Sequence, residues 1–427
     1  MVRNKIFLLI SSLVFALILG LGSLGYSKDL GLQDEELSLD LPGQAAAAPA
    51  FKPTVNAGGL LRLGFETTFA SDATKNSNGA YTFNLYNARI WIGGMATQHT
   101  EYHLHLKLEK MIGESSHDHK ITIPATSTTT EKTGVGGHMV EMAWFKFHII
   151  PELKVTVGVD YMHFNRAYHT PIAGLSMRDR SNADRAIHQS DMGIAFSGDV
   201  MKGMVSYNLG IWNGNGGTLD GQALDNKDDA FQVTARVQVD PFGKWDDVAQ
   251  YFSKDMKLSV GLGLLYNQNY DASKLGKYSQ QTSPGGKKGQ KIMAITADLG
   301  FNYDIIYFMG SFNFIPKAKN NDAAGADYKG AAAESYMGLA AEVSVTILPK
   351  TLRGSIRFDS YEIAPLAGNK DGVKQIDVGL SYYVDGMGHR MKIQPQLEIQ
   401  LYRGDDVSGQ PSKKDTKFYI LFSGLFK

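Results

Sequence analysis

Thr416-Lys417-Phe418-Tyr419-Ile420-Leu421-Phe422-Ser423-Gly424-Leu425-Phe426 is followed only by Lys427. A β-strand sends successive side chains to opposite faces. Phe418, Ile420, Phe422, Gly424 and Phe426 therefore share one face, and Lys417, Tyr419, Leu421 and Ser423 the other. An aromatic row of this kind, in a chain whose first residues read as a secretion signal, predicts an all-β fold. That fold is a transmembrane antiparallel β-barrel with 416–426 as its closing strand. The strand has the form of the signal read by the barrel-assembly machinery of a bacterial outer membrane, except that Lys427 stands where an aromatic residue ordinarily comes last.

The opening residues supply the secretion half of this reading. Arg3 and Lys5 form a short basic stretch, residues 6–22 are almost wholly apolar, and Gly25-Tyr26-Ser27 sets small residues where a signal peptidase cuts. Residues 1–27 are expected to be a signal peptide cleaved after Ser27; the alternative is a retained anchor helix. No other stretch could span a membrane as a helix. The absence of Cys excludes disulfides, thiolate metal sites and a Cys nucleophile. Removing Arg3 and Lys5 takes the basic count from 43 to 41 against 43 acidic residues, which argues against nucleic acid as a partner. Residues 28–57 read as a periplasmic N-terminal segment ahead of a barrel domain over 58–427.

Alternation predicts sixteen strands, at 58–70, 82–96, 99–111, 138–149, 153–162, 190–198, 202–212, 229–239, 255–267, 290–302, 304–314, 334–347, 351–361, 372–384, 390–402 and 416–426; fourteen or eighteen are the neighbouring counts. In Tyr102-His103-Leu104-His105-Leu106-Lys107-Leu108-Glu109 four polar side chains share one face. The connections alternate long and short, as in barrels with long outer loops and short periplasmic turns; residues 240–254 are the exception.

The same period assigns a lumen face. It carries Arg62, Arg89, Lys107, Lys146, Arg236, Lys257, Arg353, Arg357, Lys392 and Lys417 against Glu66, Glu109, Asp160, Asp298, Glu342, Asp359, Asp377 and Glu398. A charge on the lipid face costs about 2–4 kcal/mol at mid-depth, so these side chains must meet water or protein.

Four segments carry a family resemblance: Asn87-Ala88-Arg89-Ile90-Trp91-Ile92-Gly93-Gly94 with the polar strand 102–109 behind it; Leu153-Lys154-Val155-Thr156-Val157-Gly158-Val159-Asp160; Asp191-Met192-Gly193-Ile194-Ala195-Phe196-Ser197-Gly198; and Gly210-Ile211-Trp212-Asn213-Gly214-Asn215-Gly216. In order and spacing, clearest over 87–240, they resemble the phosphate-selective porin O and P family. After Gly158 that family often reads Gln-x-Lys-x-Pro-x-Ser, where this chain has Val159-Asp160-Tyr161-Met162-His163-Phe164. The resemblance implies a homotrimeric sixteen-stranded porin whose third outer loop, here 163–189, folds into the barrel. That loop carries Arg166, Arg178, Arg180 and Arg185 with His163, His169 and His188, opposed by Asp179 and Asp184. Guanidinium groups in a narrow neck would attract anions, their fork suiting phosphate or carboxylate; the alternative is that they pair with acids and hold the loop down.

His103 with His105, and His117 with His119, each make half a metal site, and no Ser/His/acid or paired-acid set stands out. Gly214-Asn215-Gly216-Gly217 lacks the Lys-Ser/Thr of a phosphate loop. The expected function is passive diffusion of small anionic or neutral solutes across an outer membrane. No enzyme activity or cofactor is expected, and outer-membrane lipid and lipopolysaccharide should surround the barrel. The rival is an adhesin or structural barrel that binds a partner through its outer loops.

Overall fold

The computed structural model describes residues 51–70, 81–110, 139–184, 190–214, 231–246, 253–270, 290–316, 335–364, 371–384, 391–403 and 415–426. The expected signal peptide, most of segment 28–57, the His117–His119 pair, Arg185 and His188 lie outside the described residues. So does much of the other long connections.

The strands are β1 (Asn56–Ala70), β2 (Tyr81–Thr97), β3 (Thr100–Lys107), β4 (Val140–Ile150), β5 (Leu153–Tyr161), β6 (Ser190–Val200), β7 (Val205–Trp212) and β8 (Gln232–Val239), followed by β9 (Lys257–Tyr270), β10 (Gln290–Tyr303), β11 (Ile306–Ile315), β12 (Ser335–Leu348), β13 (Leu352–Ala364), β14 (Asp371–Tyr383), β15 (Met391–Arg403) and β16 (Asp415–Phe426). Each pairs antiparallel with the next, and β16 returns to β1, closing a sixteen-stranded barrel. The closing register runs from Gly59 opposite Phe426 to Ala70 opposite Asp415. Closure leaves no row of unpaired backbone groups, a condition any sheet must meet in hydrocarbon.

The period of two sorts side chains by polarity. On β16, Phe422 and Phe426 are 50% and 61% exposed on the outer face, whereas Tyr419 and Leu421 are buried inside. The outer faces of the other strands repeat this with residues such as Leu63, Phe145, Ile194, Leu262, Met337 and Ile356, all exposed. The inner faces carry the charges and amides. An apolar girdle around a polar interior is the reverse of a soluble barrel and suits one whose solvent is lipid. Among the described residues no helix is long and apolar enough to cross a membrane.

Local details explain where strand ends depart from the alternation. β3 stops at Lys107 because Leu108–Lys110 turns as a short 3-10 helix. β7 starts at Val205 because Met201 and Lys202 have φ of 51° and 58°, forming the turn from β6. Pro395 has no N–H to donate, and the β14–β15 ladder skips it, running Gly379 with Gln396 and resuming at Tyr382 with Ile393. The long connection after β8 delivers Trp245 to the interior, 5% exposed, with its ring 5.9 Å from that of Tyr307. A tight hairpin has no residue to spare for that. The contrast in connection length disappears around β14, where residues 365–370 precede it and 384–390 follow.

Candidate pore site

Past the end of β5, residues 162–184 run against inner-face side chains of β1 and of β8 through β16. The inner wall makes room with small residues. A Cβ on Gly263 would stand 2.1 Å from the Phe164 carbonyl oxygen, so the segment approaches closely only because no side chain is there. At Gly338 an added Cβ would meet Ala183 at 3.0 Å.

The wall then holds the segment by its backbone. Lys392 Nζ donates to the carbonyls of Ala173 and Leu175 at 3.0 and 2.6 Å. Gln394 Nε2 donates to those of Leu175 and Ser176 at 3.2 and 2.8 Å. Asp359 accepts the N–H groups of Asn182 and Ala183 at 2.5 and 3.0 Å. The Arg178 N–H donates to Gln396 Oε1 at 2.7 Å, and Ser176 Oγ bonds Glu342. A segment without a sheet of its own needs such partners, since each buried backbone group left unmade costs about 1–3 kcal/mol.

The three loop arginines among the described residues, Arg166, Arg178 and Arg180, are buried and engaged. Arg166 Nε lies 2.9 Å from Asp298 and its Nη2 2.6 Å from Ser259 Oγ, with the guanidinium 5.3 Å from the Trp245 ring. Arg178 Nη2 is 3.1 Å from Asp179 and 3.8 Å from Glu398, and the group stacks over Tyr419 at 4.0 Å. Arg180 donates to the carbonyls of Ala167 and Thr170 at 2.5 and 2.8 Å and lies 5.2 Å from the Tyr168 ring. The contacts of these three side chains are with the segment itself and with the facing wall.

His163 and His169 meet edge to face, Nδ1 of the first 3.2 Å from Nε2 of the second. Burial, then the positive charges of Lys146 and Arg236, pushes His163 down to about 4. Burial and its neighbours, His163 first, hold His169 well below the usual imidazole range. Both are neutral at pH 7 and gain positive charge only well into acid.

The wall cations meet carboxylates, amides, carbonyls and rings. Arg89 Nη1 lies 2.6 Å from Glu141, and Lys107 3.4 Å from the same carboxylate. Arg236 grips Asp298 at 2.6 and 2.9 Å, and Arg357 holds Asp377 at 2.6 Å. Arg62 bonds Asn87 Oδ1 at 3.0 Å and the Arg178 carbonyl, and Arg353 stands 4.9 Å over the Tyr307 ring. Lys146 stands 4.2 Å over the Trp144 ring.

Two residues of this network do not follow from alternation. Glu141 should share the outer face with Ala143 and Phe145. A bulge between β3 and β4 pairs His105 with Met142 and Leu106 with Val140, so Glu141 is the extra residue and joins the interior. Tyr86 is the extra residue at the β1–β2 bulge, where Arg62 pairs with Asn87 and Leu63 with Leu85, and its ring reaches Arg178.

Segment 162–184 leaves part of the wall open. Over β2 through β6 the inner-face residues Trp91, Glu101, His103, His105, Trp144, Lys146, His148, Lys154 and Asp199 remain partly exposed. Among the described residues no group of three or more potential ligands is placed to hold a metal ion.

No family model and no curated relative matches the chain. Solved barrels do. The outer membrane channel DcaP of Acinetobacter baumannii is 10% identical, with a TM-score of 0.54, over 88% of this chain and 99% of that one. An anion-selective porin from Comamonas acidovorans is 11% identical, with a TM-score of 0.52, over 88% and 100%. A Salmonella typhi OmpF structure is 11% identical, with a TM-score of 0.50, over 86% and 97%. At these identities the likeness is one of fold: the chain shares the porin barrel, and nothing singles out the phosphate-selective family.

Proposed function

We propose that the chain is an outer-membrane diffusion channel, a passive conduit for small hydrophilic solutes with a mild preference for anions. The observation that carries this reading is the uncovered polar strip over β2–β6, which faces the interior of a closed barrel whose outside is apolar. The likeness to barrels described as a channel and an anion-selective porin supports it. The anion preference belongs to that strip, because Arg166, Arg178 and Arg180 are already engaged. Among the described residues no contact favours phosphate over other anions. In this reading the signal peptide is removed near Ser27, the barrel-assembly machinery inserts the chain through β16, and three copies assemble.

Planar-bilayer recording tests the proposal. Purified, folded protein should give stepwise ion conductance, with a reversal potential in a salt gradient that favours chloride over potassium. The coverage of the inner wall by 162–184 favours the rival adhesin or structural barrel to the extent that it narrows the lumen. A folded protein that never conducts would decide for that rival.

A further inference from the structure

We infer that the uncovered wall carries a binding subsite for a small anion with a flat apolar body, an aromatic carboxylate, built on Lys146, Trp144 and His103. The inference rests on the channel reading above and names a solute class that its open strip would retain.

Charge pairing singles out Lys146. Four cationic or basic side chains on the strip face a carboxylate: Lys107 at 3.4 Å and His105 at 3.6 Å from Glu141, Lys154 at 3.7 Å from Asp199, and His148 at 3.3 Å from Glu101. Glu101 is the cross-strand neighbour of Lys146, yet it turns to His148. Among the described residues Lys146 has no carboxylate within ion-pair distance, the buried Asp160 lying near enough only for its charge to be felt. Its ammonium rests 4.2 Å from the centroid of the Trp144 ring. A ring quadrupole attracts a cation without cancelling its charge, so the ammonium remains available to an anion.

The surroundings of Lys146 select what that anion carries. The His103 ring stacks on Trp144, centroids 5.2 Å apart and planes 16° from parallel. His105 meets both His103 and the Trp91 ring edge to face, at 6.0 and 5.7 Å. This makes a continuous patch of ring surface across β2, β3 and β4, beside the free ammonium. One cation beside a flat π-surface fits a single negative charge on a planar body. A phosphate dianion would find one ammonium and Glu101 beside it, and nothing for a ring surface to contact.

The test uses the full-length folded protein and benzoate as probe. Benzoate should quench tryptophan fluorescence saturably and should reduce the chloride current through single channels. Lys146→Ala should weaken both effects at least about tenfold, the loss expected for one charge-assisted contact, while the β-barrel circular dichroism of the variant matches the parent. Trp144→Phe keeps a ring in place and should retain benzoate block, whereas Trp144→Leu should lose it. Phosphate at equal concentration should block neither variant nor parent. Unchanged benzoate affinity in Lys146→Ala, or phosphate block as strong as that of benzoate, overturns the subsite. A parent protein that quenches with benzoate but carries no current keeps the subsite and removes the channel reading. Current without saturable quenching or block does the reverse.

Discussion

Replacing Arg166 by Met should unseat segment 162–184 without opening the barrel. The side chain ties the segment to β10 through Asp298 at 2.9 Å and to β9 through Ser259 Oγ at 2.6 Å, in a site 1% exposed. Methionine keeps the bulk but loses these bonds. Asp298 is not orphaned, because Arg236 still holds it at 2.6 and 2.9 Å. The loss is therefore that of at least these two charge-assisted bonds, offset by the desolvation of one guanidinium, or at least about 3 kcal/mol in favour of the detached state. That is a factor of roughly 150 in the balance between seated and detached segment. When opening is fast compared with cleavage, proteolysis follows the open population. Cleavage within 162–184 should then accelerate by about two orders of magnitude in folded, detergent-solubilised protein. Single-channel records should show larger or noisier conductance, and β-barrel content by circular dichroism should stay the same. Asp298→Asn should be worse, because it leaves Arg166 and Arg236 facing each other in a buried site. If Arg166→Met cleaves and conducts like the parent, or Asp298→Asn is the milder change, the ion cluster is not what seats the segment.

Three further outcomes follow from the fold and its buried histidines. Deleting 416–427 removes the partner of both β1 and β15, so the folded, heat-modifiable form should disappear and the chain should collect in the periplasm; a normal folded yield contradicts the closing role of β16. Tags inserted near Ser127, Gly217 and Gly286 should label on intact cells and one near Asp385 should not; labelling at Asp385 reverses the orientation. His163 has its folded-state pKa depressed to about 4, so its contribution to stability is complete above the unfolded value of about 6.5 and is lost as pH falls toward 4. Proteolysis within 162–184 should therefore accelerate between those pH values, and a flat profile would show that the histidine pair is not coupled to seating.

The barrel is legible in the sequence because its physics is periodic. Lipid outside and polar groups inside impose a period of two on every strand, and closure imposes an even count, so β16 and the polar row of β3 announce the architecture. The wall charges are legible for the same reason: Arg62, Arg236, Arg357 and Lys392 have one face on which they are tolerable. What they touch is another matter. Arg166 meets Asp298 across a separation of 132 residues, and Ser176 meets Glu342 across 166; no local pattern encodes such partners. Bulges hide more, since one extra residue in β4 carries Glu141 from the lipid side to the interior, and one in β2 brings in Tyr86.

One signal for the covered wall does lie in the sequence. The inner-face positions of β9 and β10 include Gly261, Gly263, Ala294 and Gly300, and those of β12 and β14 include Gly338, Ala340 and Gly379. Residues this small leave a gap beside their neighbours, and a barrel interior closes such gaps with something. At Gly263 it is the Phe164 backbone, at Gly300 the Trp245 ring, and at Gly379 the Met177 sulfur. On β3 and β4 the inner row is instead His103, His105, Trp144, Lys146 and His148, side chains that fill their own space and leave a ring-lined surface. Small inner residues on β9, β10, β12 and β14 therefore mark places where chain is seated against the wall. In the channel reading proposed above, substitutions on β3 and β4 should change which solutes are retained more than substitutions on β12–β14, whose first effect is on how 162–184 is held.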